Sequence, residues 1–217
     1  MELQGIVFGM DGVLYDTERL SMICWKRIGK EMGIDKIEEI SHGCIALNQT
    51  DTRRFIDTNY PGFPYDTFWE RLTEDYHEIL KEELPLKEGA KEILQYLRTT
   101  RLKVGLASSS EKKSVMGHLK RSDMEQYFDF IIGGDMVEHS KPSPDIYEKS
   151  CKELGIRVDK AIAVEDSFNG IKSAYAASMM PVMIPDLLQP TEDLKSMLFQ
   201  KFDSLLELKA YLISEGF

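Results

Sequence analysis

The chain has 217 residues, 42% of them hydrophobic and 29% charged, which suits one sizeable core or a core with a small appended domain. Its formal charge of −10 repels phosphate backbones and anionic bilayers, and its basic residues are scattered rather than gathered with aromatics, so neither nucleic acid nor a membrane is expected as a partner. The opening Met-Glu-Leu-Gln-Gly-Ile-Val-Phe has no character of a secretory leader and no apolar run approaches about 20 residues, so a cytoplasmic protein is expected, with Cys24, Cys44 and Cys151 as free buried thiols.

In chain order, the first strand signal is Gly5-Ile6-Val7-Phe8. The stretch from Asp16 to Leu84 then reads as helical, with Trp25, Ile28 and Met32 in one stripe and Phe68, Leu72, Tyr76, Ile79 and Leu80 in another. Pro61-Gly62-Phe63-Pro64 interrupts it as a loop, and Pro85 closes it. A helix follows, with Ala90, Ile93, Leu94 and Leu97 on one face. Further strands are expected at 102–107, 130–132, 161–164 and 181–184. Tyr147, Cys151 and Leu154 form a helical stripe that stops at Gly155, and Ser204 with Glu207 has the spacing of a capping box opening a last helix.

Apolar strands alternating with amphipathic helices imply a parallel sheet covered on both faces, with ligands bound beyond the carboxyl ends of the strands. Four polar clusters occupy such positions: Gly9-Met10-Asp11-Gly12, Ser108-Ser109-Ser110, Lys141-Pro142-Ser143-Pro144 and Glu165-Asp166-Ser167. Taken singly, each has an ordinary explanation. Ser108 with Glu111 fits a helix cap, Glu165-Asp166 an acidic helix start and Lys141 a solvated loop charge. Thr17, Glu18, Asn48 and Thr50 fit capping and turn roles, and His42, His77, His118 and His139 have no mutual spacing and read as solvated.

It is their joint order that resembles the haloacid-dehalogenase superfamily, in the phosphatase and β-phosphoglucomutase-like branch. The motifs are Ile-Val-Phe-Gly9-Met-Asp11-Gly-Val-Leu-Tyr-Asp16-Thr17-Glu18, Ala-Ser108-Ser-Ser, Lys141-Pro-Ser-Pro-Asp-Ile-Tyr and Val-Glu165-Asp166-Ser-Phe-Asn169-Gly170-Ile. The resemblance implies an α/β fold: a Rossmann-like core of residues 1–15 and 85–217 and an inserted helical cap of 16–84. It also implies Mg2+, with Asp11 contributing its main-chain carbonyl and Glu165 and Asp166 their carboxylates. Asp11 matches the general acid and base, Ser108 and Ser109 the phosphate-binding loop, and Lys141 the residue that neutralises the phosphoryl group. A small phosphorylated metabolite is the expected partner of a monomer.

The resemblance calls for a nucleophilic aspartate at position 9, where this chain has glycine. Three explanations remain open: an introduced or accidental change, a natural pseudoenzyme that binds a phosphometabolite without turning it over, and a different chemistry. Mutase-like phosphotransfer calls for a histidine shortly after Thr17, where Glu18-Arg19-Leu20-Ser21 stands. A dehalogenase needs no acidic metal pair, and a phosphonate hydrolase needs a Schiff-base lysine, for which Lys26, Lys30 and Lys36 are candidates of ordinary surface type.

Overall fold

The computed structural model describes residues 2–217. Its centre is a six-stranded, wholly parallel sheet built from β1 (Gly5–Phe8), β2 (Lys103–Ala107), β3 (Phe130–Ile132), β4 (Ala161–Glu165), β5 (Met180–Met183) and β6 (Gln200–Lys201). The strand order is β3-β2-β1-β4-β5-β6, so the chain first winds outward on one side of β1 and then returns to wind outward on the other. A crevice opens beyond the strand ends where winding reverses, between β1 and β4.

Side chains along β1 alternate between the two faces, which is why all four of its residues are buried. Ile6 and Phe8 join Val104, Leu106, Ile162 and Val164 in a core completed by α5 (Ala90–Leu97) and α10 (Leu205–Ser214). On the other face Val7 and Ala163 meet Tyr147, Cys151 and Leu154 of α7 (Asp145–Leu154) and Ala174 of α8 (Phe168–Ala176). Gly155 ends α7 in the left-handed conformation at φ 68°, and Ser204 accepts from the Glu207 amide at the start of α10, both as the sequence predicts. The short α9 (Glu192–Lys195) leads to β6. The exposed Gln200-Lys201 of β6 carries no apolar signal, and its strand character comes from pairing with Val182 and Met183.

Between β1 and α5 lie four helices: α1 (Thr17–Glu31), α2 (Ile37–Gly43), α3 (Gln49–Asn59) and α4 (Tyr65–Glu82). They enclose their own core, in which Phe68 packs against Trp25 and Phe63 with ring centroids 4.9 and 5.0 Å apart. The two connections to the sheet run side by side, joined by Asp16 N–H to the Pro85 carbonyl (3.0 Å) and Lys87 N–H to the Leu14 carbonyl (2.9 Å). Among the described residues no helix is long and apolar enough to cross a membrane.

Two sequence expectations are corrected here. The helix after β2, α6 (Lys112–Arg121), begins after Glu111, so Ser108 is not its cap; the Ser108 hydroxyl instead accepts from the Ser110 amide at 3.1 Å in the preceding turn. His118 is not solvated but 7% exposed, packed with its ring centroid 5.7 Å from that of Tyr15, and burial lowers its affinity for a proton. The cause is its place on the inward face of α6, one residue before Leu119 of the core. The three cysteines are free and buried, as expected.

Replacing a fully buried phenylalanine costs transfer and cavity energy together. Phe68→Ala is therefore expected to lower stability by about 3–5 kcal/mol, read from urea denaturation; a loss below about 1 kcal/mol would show that the four helices collapse around the gap.

Candidate active site

Register brings the polar clusters together. Phe8 pairs with Leu106 on one side and Val164 on the other, so Gly9, Ala107 and Glu165 stand level at the strand ends, and the Gly9 N–H donates to the Val164 carbonyl at 2.8 Å. A Cβ built on Gly9 would lie 3.1 Å from Val13 Cγ2 and 3.3 Å from Glu165 Oε2, so a side chain here meets a carboxylate at once with only slight crowding.

Asp11 lies under a net of hydroxyls. Thr17 of α1 donates to its Oδ1 at 2.5 Å, while Ser110 and Ser108 donate to Oδ2 at 3.0 and 3.5 Å. Thr17 and Ser110 are partners of Asp11 that the sequence does not single out: Thr17 fits a helix start, and nothing separates Ser110 from two adjacent serines. Ser109 is not brought to this carboxyl; its hydroxyl donates to the Ala46 carbonyl at 2.7 Å and so ties the β2 loop to the helical insert.

Lys141 and Glu165 form a buried ion pair at 2.5 Å, with residue exposures of 4% and 2%. The Lys141 ammonium also donates to the Ala107 carbonyl at 3.1 Å, and Glu165 Oε1 receives the hydroxyl of Tyr147. Lys141 is thus the opposite of a solvated loop charge. Two glycines make room for the acids: a Cβ on Gly170 would lie 2.1 Å from Glu165 Oε2, and one on Gly12, at φ +74°, would lie 2.2 Å from Asp166 Oδ2.

The acids outnumber the cations. Asp186 pairs with Lys87 at 2.6 Å, leaving its Oδ2 buried without a partner, and Asp166 and Glu18 form no ion pair among the described residues. Burial, then Glu165, Glu18 and Asp186, push the Asp166 carboxyl well above the usual range. Burial, then Asp11, Asp186 and Glu165, push Glu18 up to about 8 from an ordinary 4.5. This negative potential and its hard oxygen donors are of the kind a divalent cation prefers, and Glu165, Asp166 and the Asp11 carbonyl are the groups here that could hold one. No three Asp, Glu, His or Cys side chains among the described residues are grouped closely enough to hold an ion by themselves, and position 9, level with Glu165, has no carboxylate to add.

The insert closes over this crevice. Asn169 donates to the Ile45 carbonyl at 3.0 Å, and Asp51 at the start of α3 receives the Ser140 N–H at 3.2 Å together with the Ser140 hydroxyl. Asn48 caps α3 by accepting from the Asp51 N–H at 2.8 Å, as predicted. Beside this contact a groove of about 690 Å³ runs between Phe55, Asn59 and Arg54 on the insert and His139 and Pro142 on the core.

A sequence model of the family described as haloacid dehalogenase-like hydrolase matches residues 6–184. The chain is 28% identical to the phosphorylated carbohydrates phosphatase of Thermotoga maritima over 178 residues, 82% of each chain. It is 30% identical to a probable pseudouridine-5'-phosphatase of Drosophila melanogaster over 191 residues, 83% of this chain and 80% of that one. Its structure is similar to that of a putative beta-phosphoglucomutase from Thermotoga maritima, with a TM-score of 0.76 and 25% identity over 98% and 99% of the two chains.

Two outcomes follow from the charges. Lys141→Met leaves Glu165 buried without its cation and is expected to cost about 3–5 kcal/mol in urea denaturation; a change under about 1 kcal/mol would mean the pair is dispensable. A carboxyl whose folded-state pKa is raised contributes stability below its unfolded pKa and loses it as pH rises through the folded value. In chelator-treated buffer the Glu18 share of the thermal midpoint, read as the difference between the chain and Glu18→Gln, is therefore expected to be lost as pH rises between about 4.5 and 8; a difference that stays constant with pH would clear Glu18 of responsibility.

Proposed function

Because the chain belongs to the haloacid dehalogenase-like hydrolase family, we propose that it is built as a magnesium-dependent phosphatase of a small phosphorylated metabolite, most simply a sugar phosphate, and is arrested by glycine at position 9. The observation that carries this reading is the convergence of Asp11, Ser108, Lys141 and Glu165 on the β1–β4 crevice while position 9, level with Glu165, has no side chain. The substrate class is suggested by the phosphatase relatives, whose own activities concern phosphorylated carbohydrates and a nucleoside phosphate.

In this reading residues 85–217 with 1–15 form the catalytic core and 16–84 the cap. An aspartate at 9 would attack phosphorus to form an aspartyl-phosphate. Asp11 would give its proton to the departing alkoxide and then take one from the water that hydrolyses the acyl phosphate. Thr17 and Ser110 hold both Asp11 oxygens and so fix the direction of that transfer. The serine loop would present hydroxyl and main-chain N–H groups to phosphoryl oxygens, Lys141 would oppose their charge, and the closed cap would exclude bulk water. A bound magnesium ion, held by Glu165, Asp166 and the Asp11 carbonyl, would screen substrate phosphate from these acids.

A non-catalytic binding protein is the second reading, favoured by Gly9 itself. The two separate in hydrolysis of p-nitrophenyl phosphate and a sugar-phosphate panel. Gly9→Asp is expected to gain magnesium-dependent turnover by several orders of magnitude, since loss of a covalent nucleophile costs on the order of 10⁶ in a well-studied hydrolase. If the aspartate form is as inert as the chain itself, the binding reading takes over.

A further inference from the structure

Tyr147 has no role in the chemistry above, yet it touches the residues that would carry it. On α7 it lies in the stripe with Cys151 and Leu154, fully buried, and packing alone accounts for its ring. Packing does not account for its hydroxyl. A phenylalanine would fill the same space without burying a polar group that needs a partner.

The hydroxyl donates to Glu165 Oε1, the atom that also accepts from the Lys141 ammonium at 2.5 Å. The ring meanwhile supports that ammonium, with Nζ 5.2 Å from its centroid. With the Ala107 carbonyl as a further acceptor at 3.1 Å, Lys141 has one N–H left to offer. Glu165 Oε1 is occupied by two donors, and Oε2 is the oxygen that remains open. Its direction is fixed: Oε2 lies where side chains at Gly9 and Gly170 would begin, at 3.3 and 2.1 Å from their built Cβ positions, so it faces position 9 and the start of α8.

We infer that Tyr147 is a positioning residue, whose hydroxyl joins Lys141 in pinning Glu165 Oε1 so that Oε2 alone is presented to a divalent cation in the crevice. The inference rests on the magnesium reading above but not on turnover. Residues that orient metal ligands change metal affinity by about 10–100-fold when altered, and Tyr147→Phe deletes one oxygen while keeping the ring under Lys141.

The test is Mn2+ binding, followed by electron paramagnetic resonance, to the chain as it stands and to Tyr147→Phe. The variant is expected to melt cooperatively in chelator and to bind Mn2+ at least about tenfold more weakly. In the Gly9→Asp chain, the same substitution is expected to raise the Mg2+ concentration for half-activation by a similar factor, leaving KM for p-nitrophenyl phosphate at saturating Mg2+ unchanged, a split that general loosening of the core would not give. Equal Mn2+ affinities, no Mn2+ binding by the unaltered chain, or loss of the cooperative melt in the variant would each overturn the inference. A persistent Mn2+ shift together with an inert Gly9→Asp chain would instead sink the phosphatase reading and leave the role of Tyr147 standing.

Discussion

Crowding several carboxyl groups into one buried crevice is the constraint around which the strand ends are organised. Like charges repel more strongly in a low-dielectric interior than in water, and the neighbouring acids Glu165, Asp186 and Asp11 each raise the pKa of Glu18, as Glu165, Glu18 and Asp186 do that of Asp166. The structure answers acid by acid. Glu165 receives a buried ammonium, Asp186 receives Lys87, and Asp11 receives three hydroxyls. Asp166 and Glu18 receive no cation among the described residues, and burial first, then the neighbouring acids, raise the pKa of both carboxyls.

The same constraint explains the small residues around the crevice. Gly170 and Gly12 leave the space that the Glu165 and Asp166 carboxyls fill, and Gly12 does so in a backbone conformation that a side chain would strain. Gly9 differs from both. It has no positive φ, and its built Cβ meets only tight van der Waals neighbours, so the backbone does not require glycine there. An aspartate at this position would add one more charge beside Glu165 Oε2, which makes position 9 the place where chemical capacity and electrostatic ease are in direct opposition.

Closure of the insert links these features to its own fold. Asp51 reaches Ser140, next in sequence to Lys141, and Ser109 and Asn169 reach the carbonyls of Ala46 and Ile45. Two loops of the site and the start of α8 are therefore held from above by a body with a separate aromatic core around Phe68. The two chain segments that join that body to the sheet are held side by side by the backbone hydrogen bonds Lys87 to Leu14 and Asp16 to Pro85.

The sequence by itself determined the five apolar strands, the helical stretch between β1 and α5, and the order of the four polar clusters, because hydrophobic period and turn chemistry are local properties. It also placed Gly155 and Ser204 at helix ends, where the signal spans only a few residues. It missed β6, whose Gln200-Lys201 is a strand only through its neighbour, and it misjudged the capping role of Ser108 and the exposure of His118, while the buried partners of Lys141 come from residues far away in the chain. Thr17 and Ser110 became partners of one carboxyl, and Tyr147 acquired an acceptor in Glu165, only when parallel register set the ends of β1, β2 and β4 level. Residue type and spacing decide which groups are available; which oxygen a proton or cation meets depends on distances across the sheet, and only the tertiary structure decides those.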